Sequence, residues 1–381
     1  MSSTLITNIG QLVTNDPELG IQRDVALVYS DGYVSWIGSK EKAPGADNLI
    51  DAEGSAVIPG FVDSHTHAVF AGDRLNDFLA RMKGTKYASG GIKTTVAATR
   101  EATDDQLRNH CENMVLEFIQ NGITTFEIKS GYGLDVETEE KILRVAREFT
   151  EETTFLGAHV VPEEFADNRR SYIDLVKGAM LDAALPYAKW IDVFCDNGAF
   201  TPDEAKEIIQ AGVAKGLSGR LHGNQLGDTG GIELAVDLGL ASVDHCTFVT
   251  DKQLELLANS STVATLLPGA EFSTRSPYPD ARRFYDHGVN VALATDCNPG
   301  SSYISSMPFI IAIAVRDMHF TPEQALVAAT LGGASALQRK DIGHLGIGAR
   351  ADISILNVPA FEYLAYRPGT QLIKQVLVSN P

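Results

Sequence analysis

The chain has 381 residues, 44% of them hydrophobic, which is enough for one large core or two smaller ones. Its formal net charge is -18 and its pI about 4.9, so phosphate backbones and anionic lipid, themselves negative, are poor partners, and a nucleic-acid-binding role is not expected. Cys111, Cys195, Cys246 and Cys297 lie far apart with no CxxC pair, the start lacks a basic-then-apolar leader, and no run of 18 apolar residues follows; the expectation is a cytoplasmic protein with no membrane partner.

Residues 1–55 read as short strands and turns, as in YSDGYVSWIGSKEKAPG. From residue 56 to about 300 one unit recurs, an apolar, β-branched run ending in polar or glycine residues and followed by an amphipathic stretch of helical period. Eight such runs follow in order: AVIPGFVDSHTH, ITTFEIKSGYG, TFLGAHVVP, WIDVFCDNGAF, GRLHGNQ, ASVDHCTFV, TVATLLPGA and VNVALATDCNPG. The intervening segments carry helix signals. In TPDEAKEIIQAGVAKG, Thr201 can cap, Pro202 suits the first turn and Gly216 sits near the end. Parallel apolar strands need both faces covered, so the pattern predicts an α/β fold with a (β/α)8 TIM-like barrel over residues 56–344. A doubly wound open sheet is the alternative, but no GxGxxG follows the first strand. From residue 345 to 381 strand patterns return (ADISILNV, QLIKQVLVSN), and both chain ends are assigned to one small, discontinuous β-sandwich domain.

His65 and His67 stand two residues apart where the first barrel strand runs out. In a strand such residues share a face, so two imidazoles point together at the barrel mouth, the start of a metal site. Taken alone, the HxH has about even odds of being two surface histidines. The other runs change that balance, because His159, His222, His245 and Asp296 fall at the same place in their own strands, the end at which barrel enzymes build active sites. Surface helices would scatter them instead. On pattern alone, His159 is the most plausible core histidine of the set.

These residues carry a resemblance. The chain is similar to the amidohydrolase superfamily, most closely to its imidazolonepropionase family, the ring-opening hydrolases of histidine degradation, through PGFVDSHTHAVFAGDR, KSGYGL, GAHVVP, LPGAEFS and TDCNPGSS. The resemblance implies that His65, His67, His222 and Asp296 bind one divalent metal ion, zinc or iron. Three imidazoles and a carboxylate suit either, and leave a position for water whose pKa falls toward ~7. It implies 4-imidazolone-5-propanoate as substrate, N-formimidoyl-L-glutamate as product, and a homodimer. It further implies substrate contacts from Arg74, Tyr132, His159, Asn298, Gly300 and Ser301. An arginine fork suits the propionate tail. A solvated loop cation is the ordinary alternative for Arg74, as is a turn-forming role for Asn298-Pro299-Gly300 and simple packing for Tyr132, which glycines flank.

The chain departs from the family pattern at Gln225, three residues after His222, where several relatives carry a glutamate thought to help move the proton. Glutamine hydrogen-bonds but takes no proton at neutral pH. The expectation is therefore that His245 polarises the carbonyl or assists proton transfer, Asp296 shuttles the proton and Gln225 orients the ring. A plain polar loop residue is the alternative for Gln225. Lys129 could be a carboxylated, metal-bridging lysine, but an ion pair with Glu127 or another buried acid is the better expectation. Cys195, Cys246 and Cys297 near strand ends are read as packing. Two rival functions remain: an aminohydrolase acting on a nucleobase-like ring at the same metal, with no need of Arg74, and a barrel without activity serving as a binding module.

Overall fold

A computed structural model describes residues 2–84 and 91–379; Asn380 and Pro381, the end of the second predicted terminal segment, lie outside the described residues. The chain ends build two packed sheets. One orders Tyr33–Ser39, Val25–Ser30, Ser3–Thr7 and Asn48–Asp51; the other orders Ile373–Leu377, Ile353–Leu356, Ala56–Pro59, Gln11–Val13 and Ile21–Gln22. Ile6, Leu27 and Val34 from the first meet Leu12, Val57, Ile353 and Ile355 from the second in one buried cluster, which makes the pair a sandwich.

The run AVIPGFVDSHTH divides at Gly60. Ala56–Pro59 pairs antiparallel with Ile353–Leu356 and parallel with Gln11–Val13, while Phe61–Asp63 pairs with Ile123–Phe126 of the barrel. The residue at the switch must be small: a Cβ on Gly60 would lie 2.2 Å from the Thr124 hydroxyl oxygen. Sequence reading took this run as a single barrel strand, because apolar continuity does not reveal a change of pairing partner.

From Phe61 onward the parallel strands follow the predicted order: Phe61–Asp63, the interrupted Ile123–Phe126 and Ile128–Lys129, Thr153–Ala158, Trp190–Cys195, the interrupted Ser218–Gly219 and Leu221–Gly223, Ser242–His245, Val263–Leu266 and Val291–Leu293. The eighth strand returns to the first through a parallel bridge between Thr66 and Cys297 and through the Asp63 carboxylate, which accepts from Thr295 N at 3.0 Å and Thr295 Oγ1 at 2.6 Å. The curled sheet thus meets itself. Outside it, helices begin as their sequences dictate. Pro202–Ala214 opens on a capping box in which Thr201 Oγ1 accepts from Glu204 N and the Glu204 carboxylate accepts from Thr201 N. Ala205, Ile208, Ile209 and Gly212 form its buried stripe, at the spacing of one helix face. Thr103, Thr250 and Thr321 start three more helices the same way.

Barrel interiors are usually filled by branched aliphatic layers. Here the fully buried side chains of these strands include Glu127, Lys129, Asp192, Arg220 and Asp244. Such charges persist in a dry interior only when paired, and their pairing sets up the site above them.

Candidate metal and substrate site

At the C-terminal mouth of the barrel, Nε2 or Nδ1 atoms of His65, His67 and His222 lie within 4.8 Å of one another, and all three residues are buried. His65 Nε2 is 3.5 Å and His67 Nε2 3.7 Å from Asp296 Oδ1, which brings the eighth strand's carboxylate to the same point. The donor set fits a divalent ion on its own evidence. His65 Nε2 is buried with no hydrogen-bond partner among the described residues, and polar atoms of that kind are costly unless something binds them. Burial, together with neighbouring cations and rings, holds His65 and His67 well below their ordinary values, so both are neutral and free to ligate at neutral pH. Burial pushes the Asp296 carboxyl well above its ordinary range, a cost that an adjacent cation would remove.

Two rings are aimed from behind. His65 Nδ1 lies 2.7 Å from Asp244 Oδ2, and His222 Nδ1 lies 2.9 Å from Asp192 Oδ2. A carboxylate at Nδ1 fixes the tautomer that leaves Nε2 free to ligate a metal. The sequence reading missed Asp192 and Asp244, although an acid inside apolar runs such as WIDVFC and SVDHC is the signal that could have found them. Lys129 is engaged in ion pairs. It pairs with Glu127, as expected, and with Asp192, each at 2.9 Å.

The remaining predicted residues line one cavity with His67, His222 and Asp296: Arg74, Tyr132, His159, Gln225, His245, Asn298, Gly300 and Ser301. His65 sits behind it, with its ring centroid 4.5 Å from that of His222. Arg74, almost fully buried, binds the Asp77 carboxylate through Nε, with its Nη1 beside Gly300 and its Nη2 beside Gly91. Gly91 makes room for it, since a Cβ there would fall 2.0 Å from Arg74 Nη2. Tyr132 stands in a loop pinned by the buried Glu139, whose carboxylate accepts from Gly131 N, Gly133 N and Leu134 N at 2.7–3.0 Å. His159, far from being sealed in the core, stacks on His67 at 5.5 Å and is held at about 4, chiefly by burial. Its Nδ1 is 2.9 Å from Gly131 O.

Asn298 folds its own loop, as the turn reading expected. Its Oδ1 accepts from Gly300 N and Ser301 N, both at 2.8 Å, and its Nδ2 donates to Asp296 O at 2.6 Å. Gln225 is set by Asp196, whose Oδ2 accepts from Gln225 N at 2.6 Å and Leu226 N at 3.0 Å. The His245 ring is neutral through burial, its Nδ1 has no hydrogen-bond partner among the described residues, and its backbone is left-handed (φ 83°), as are Asn224, Cys246 and Asp296 at neighbouring strand ends. Strain of this kind concentrates at functional sites. Phe194, Ile92 and Val160 supply apolar wall that sequence reading did not single out. The four cysteines are buried and unpaired.

Comparison with known proteins agrees with this construction. Residues 56–373 match the family model described as "Amidohydrolase family". Imidazolonepropionase of Salinispora tropica is 59% identical, covering 99% of this chain and 98% of its own length, and that of Mycolicibacterium smegmatis is 56% identical over 99% and 96%. Among solved structures, a variant of atrazine chlorohydrolase from Arthrobacter aurescens complexed with zinc and atraton superposes with a TM-score of 0.75 at 14% identity, covering 99% of this chain and 94% of that one; the likeness is one of fold. Given these matches and a buried histidine triad at the barrel mouth, the chain belongs to the amidohydrolase family and, within it, to the imidazolonepropionases, hydrolases of a cyclic amide.

Proposed function

We propose that the chain opens the ring of 4-imidazolone-5-propanoate to N-formimidoyl-L-glutamate at one divalent ion, zinc or iron, held by His65, His67, His222 and Asp296. The observation that carries this reading is a single cavity whose lining brings Arg74 together with Asp296 and with His67 and His222 of the buried histidine triad. When bound, such an ion supplies Lewis acidity and brings a water's pKa toward ~7.

The chain's own residues do the rest. With Nε engaged by Asp77, the terminal nitrogens of Arg74 receive the propionate end-on and set the distance from tail to ring. Tyr132 and His159 border the ring, and Gln225 orients it through its amide. Phe194, Ile92 and Val160 keep water from its faces. His245, neutral, donates a hydrogen bond to the carbonyl as charge gathers on the oxygen. Asp296 takes the attacking water's proton at its carboxylate and returns it to the departing ring nitrogen, so no glutamate is needed at position 225. Ser301 Oγ, 3.4 Å from Asp296 Oδ2, steadies that carboxylate.

The proposal extends to a cytoplasmic homodimer. Four unpaired cysteines suit a reducing compartment, and Leu75, Phe78 and Leu79 expose an apolar face on one helix. No helix among the described residues is long and apolar enough to cross a membrane.

Following imidazolone absorbance while identifying the product tests the reading. Formimidoylglutamate without ammonia is expected; ammonia release from the substrate ring would indicate an aminohydrolase instead.

A further inference from the structure

Beneath the metal-facing rings lies a closed layer of charge that the reaction does not touch. Lys129 Nζ is 2.9 Å from Glu127 Oε1, 2.9 Å from Asp192 Oδ2 and 3.7 Å from Asp244 Oδ2, and none of these side chains reaches solvent. Arg220, also fully buried, donates from Nη2 to Ser64 O at 2.7 Å and lies 3.4 Å from the same Asp244 oxygen. Asp244 and Asp192 then meet Nδ1 of His65 and His222. Two chains therefore run from cation to carboxylate to imidazole.

The chemistry gives each link a task. A carboxylate orients an imidazole strongly only while it is ionised, and in a dry interior it stays ionised only beside a cation. The oxygen of each carboxylate that meets a ring also has a cation beside it: Lys129 Nζ at 2.9 Å from Asp192 Oδ2, and Arg220 Nη2 at 3.4 Å and Lys129 Nζ at 3.7 Å from Asp244 Oδ2. Three carboxylates surround the Lys129 nitrogen, a setting that suits an ammonium and opposes a carboxylated lysine, which would add a further negative charge.

We propose that Lys129 and Arg220 are positioning residues for metal capture: they hold Asp192 and Asp244 as anions at Nδ1 of His222 and His65, fixing both rings in the tautomer that turns Nε2 to the ion. The inference rests on the reading that His65, His67, His222 and Asp296 hold that ion.

The test compares the full-length wild type with Lys129→Met and with Glu127→Gln/Lys129→Met, the second of which keeps the layer's net charge and decides the matter if the first does not fold. Two readouts are taken: zinc affinity by competition with a chelator, and the protonated ring nitrogens of 15N-histidine-labelled, metal-free protein. Zinc affinity falls by about 10–100-fold in the variants, and the His222 signal, assigned from its loss in His222→Asn, moves from a single Nδ1–H form to a mixture. Wild-type affinity together with an unchanged His222 tautomer in the double variant overturns the proposal. The spectra need no metal, so they judge this layer even if the wild type takes up no zinc, a result that would instead overturn the ion site itself.

Discussion

Arg74 and Gly91 show how one side chain's reach depends on another's absence. The guanidinium occupies space that a Cβ at position 91 would enter at 2.0 Å. Arg74→Lys loses the planar fork, and Gly91→Ala displaces it. Each is expected to raise KM by about 10–100-fold with a smaller change in kcat, because the tail is held alike in ground and transition states. A fall in kcat at constant KM would place Arg74 in the chemistry instead. His245 makes the opposite case. Its ring is neutral across the working range and its Nδ1 unpartnered, so His245→Asn is expected to lower kcat by about 10²–10⁴-fold while bound metal stays at the wild-type level. An unchanged kcat removes His245 from the mechanism.

At the scale of elements, the recurring apolar runs reveal eight strands, and their shared polar ends reveal the mouth. The spacing of His65 and His67, and the places of His222 and Asp296, follow from the period of a strand, and for that reason they were legible in the chain itself. Other features lie outside local pattern. The partner change at Gly60 depends on which strand lies alongside, and the loop that presents Tyr132 is held by Glu139, six residues beyond the KSGYG motif and on a helix. Asp192, Arg220 and Asp244 face inward beside apolar neighbours, and nothing in the hydrophobic period tells a buried charge from an exposed one. Barrel closure is another long-range product, with Asp63 spanning to Thr295 across 232 positions of sequence. Asp63→Ala leaves the Thr295 amide N–H and hydroxyl O–H without an acceptor in the interior, and is expected to cost about 2–4 kcal/mol in urea unfolding. A wild-type midpoint would show that the bridge at Thr66 closes the barrel unaided.

The whole molecule places its acids unevenly: most of the -18 charge serves solubility, whereas a few buried carboxyls tie stability to pH. Glu271 is one of these. Burial pushes it up to about 7 from its ordinary 4.5, with only Thr247 Oγ1 at 2.5 Å and a backbone bond opposing the rise. A carboxyl raised on folding contributes stability below its unfolded value and loses it as pH climbs through the folded one. Glu271→Gln, which cannot ionise, is thus expected to melt above the wild type, with the gap opening between pH 4.5 and about 7 and reaching at most ~3 kcal/mol. A constant gap across that range would mean that Glu271 does not titrate there.

The account's central claim is that one ion at His65, His67, His222 and Asp296 makes this cavity a ring-opening hydrolase. It is tested most directly by stripping the purified protein with a chelator, restoring zinc in steps, and recording bound metal and imidazolone consumption together. Turnover should vanish on stripping and return in proportion to metal, saturating at about one ion per chain. Full turnover by the stripped protein, or activity that rises only as a second ion binds, would contradict it.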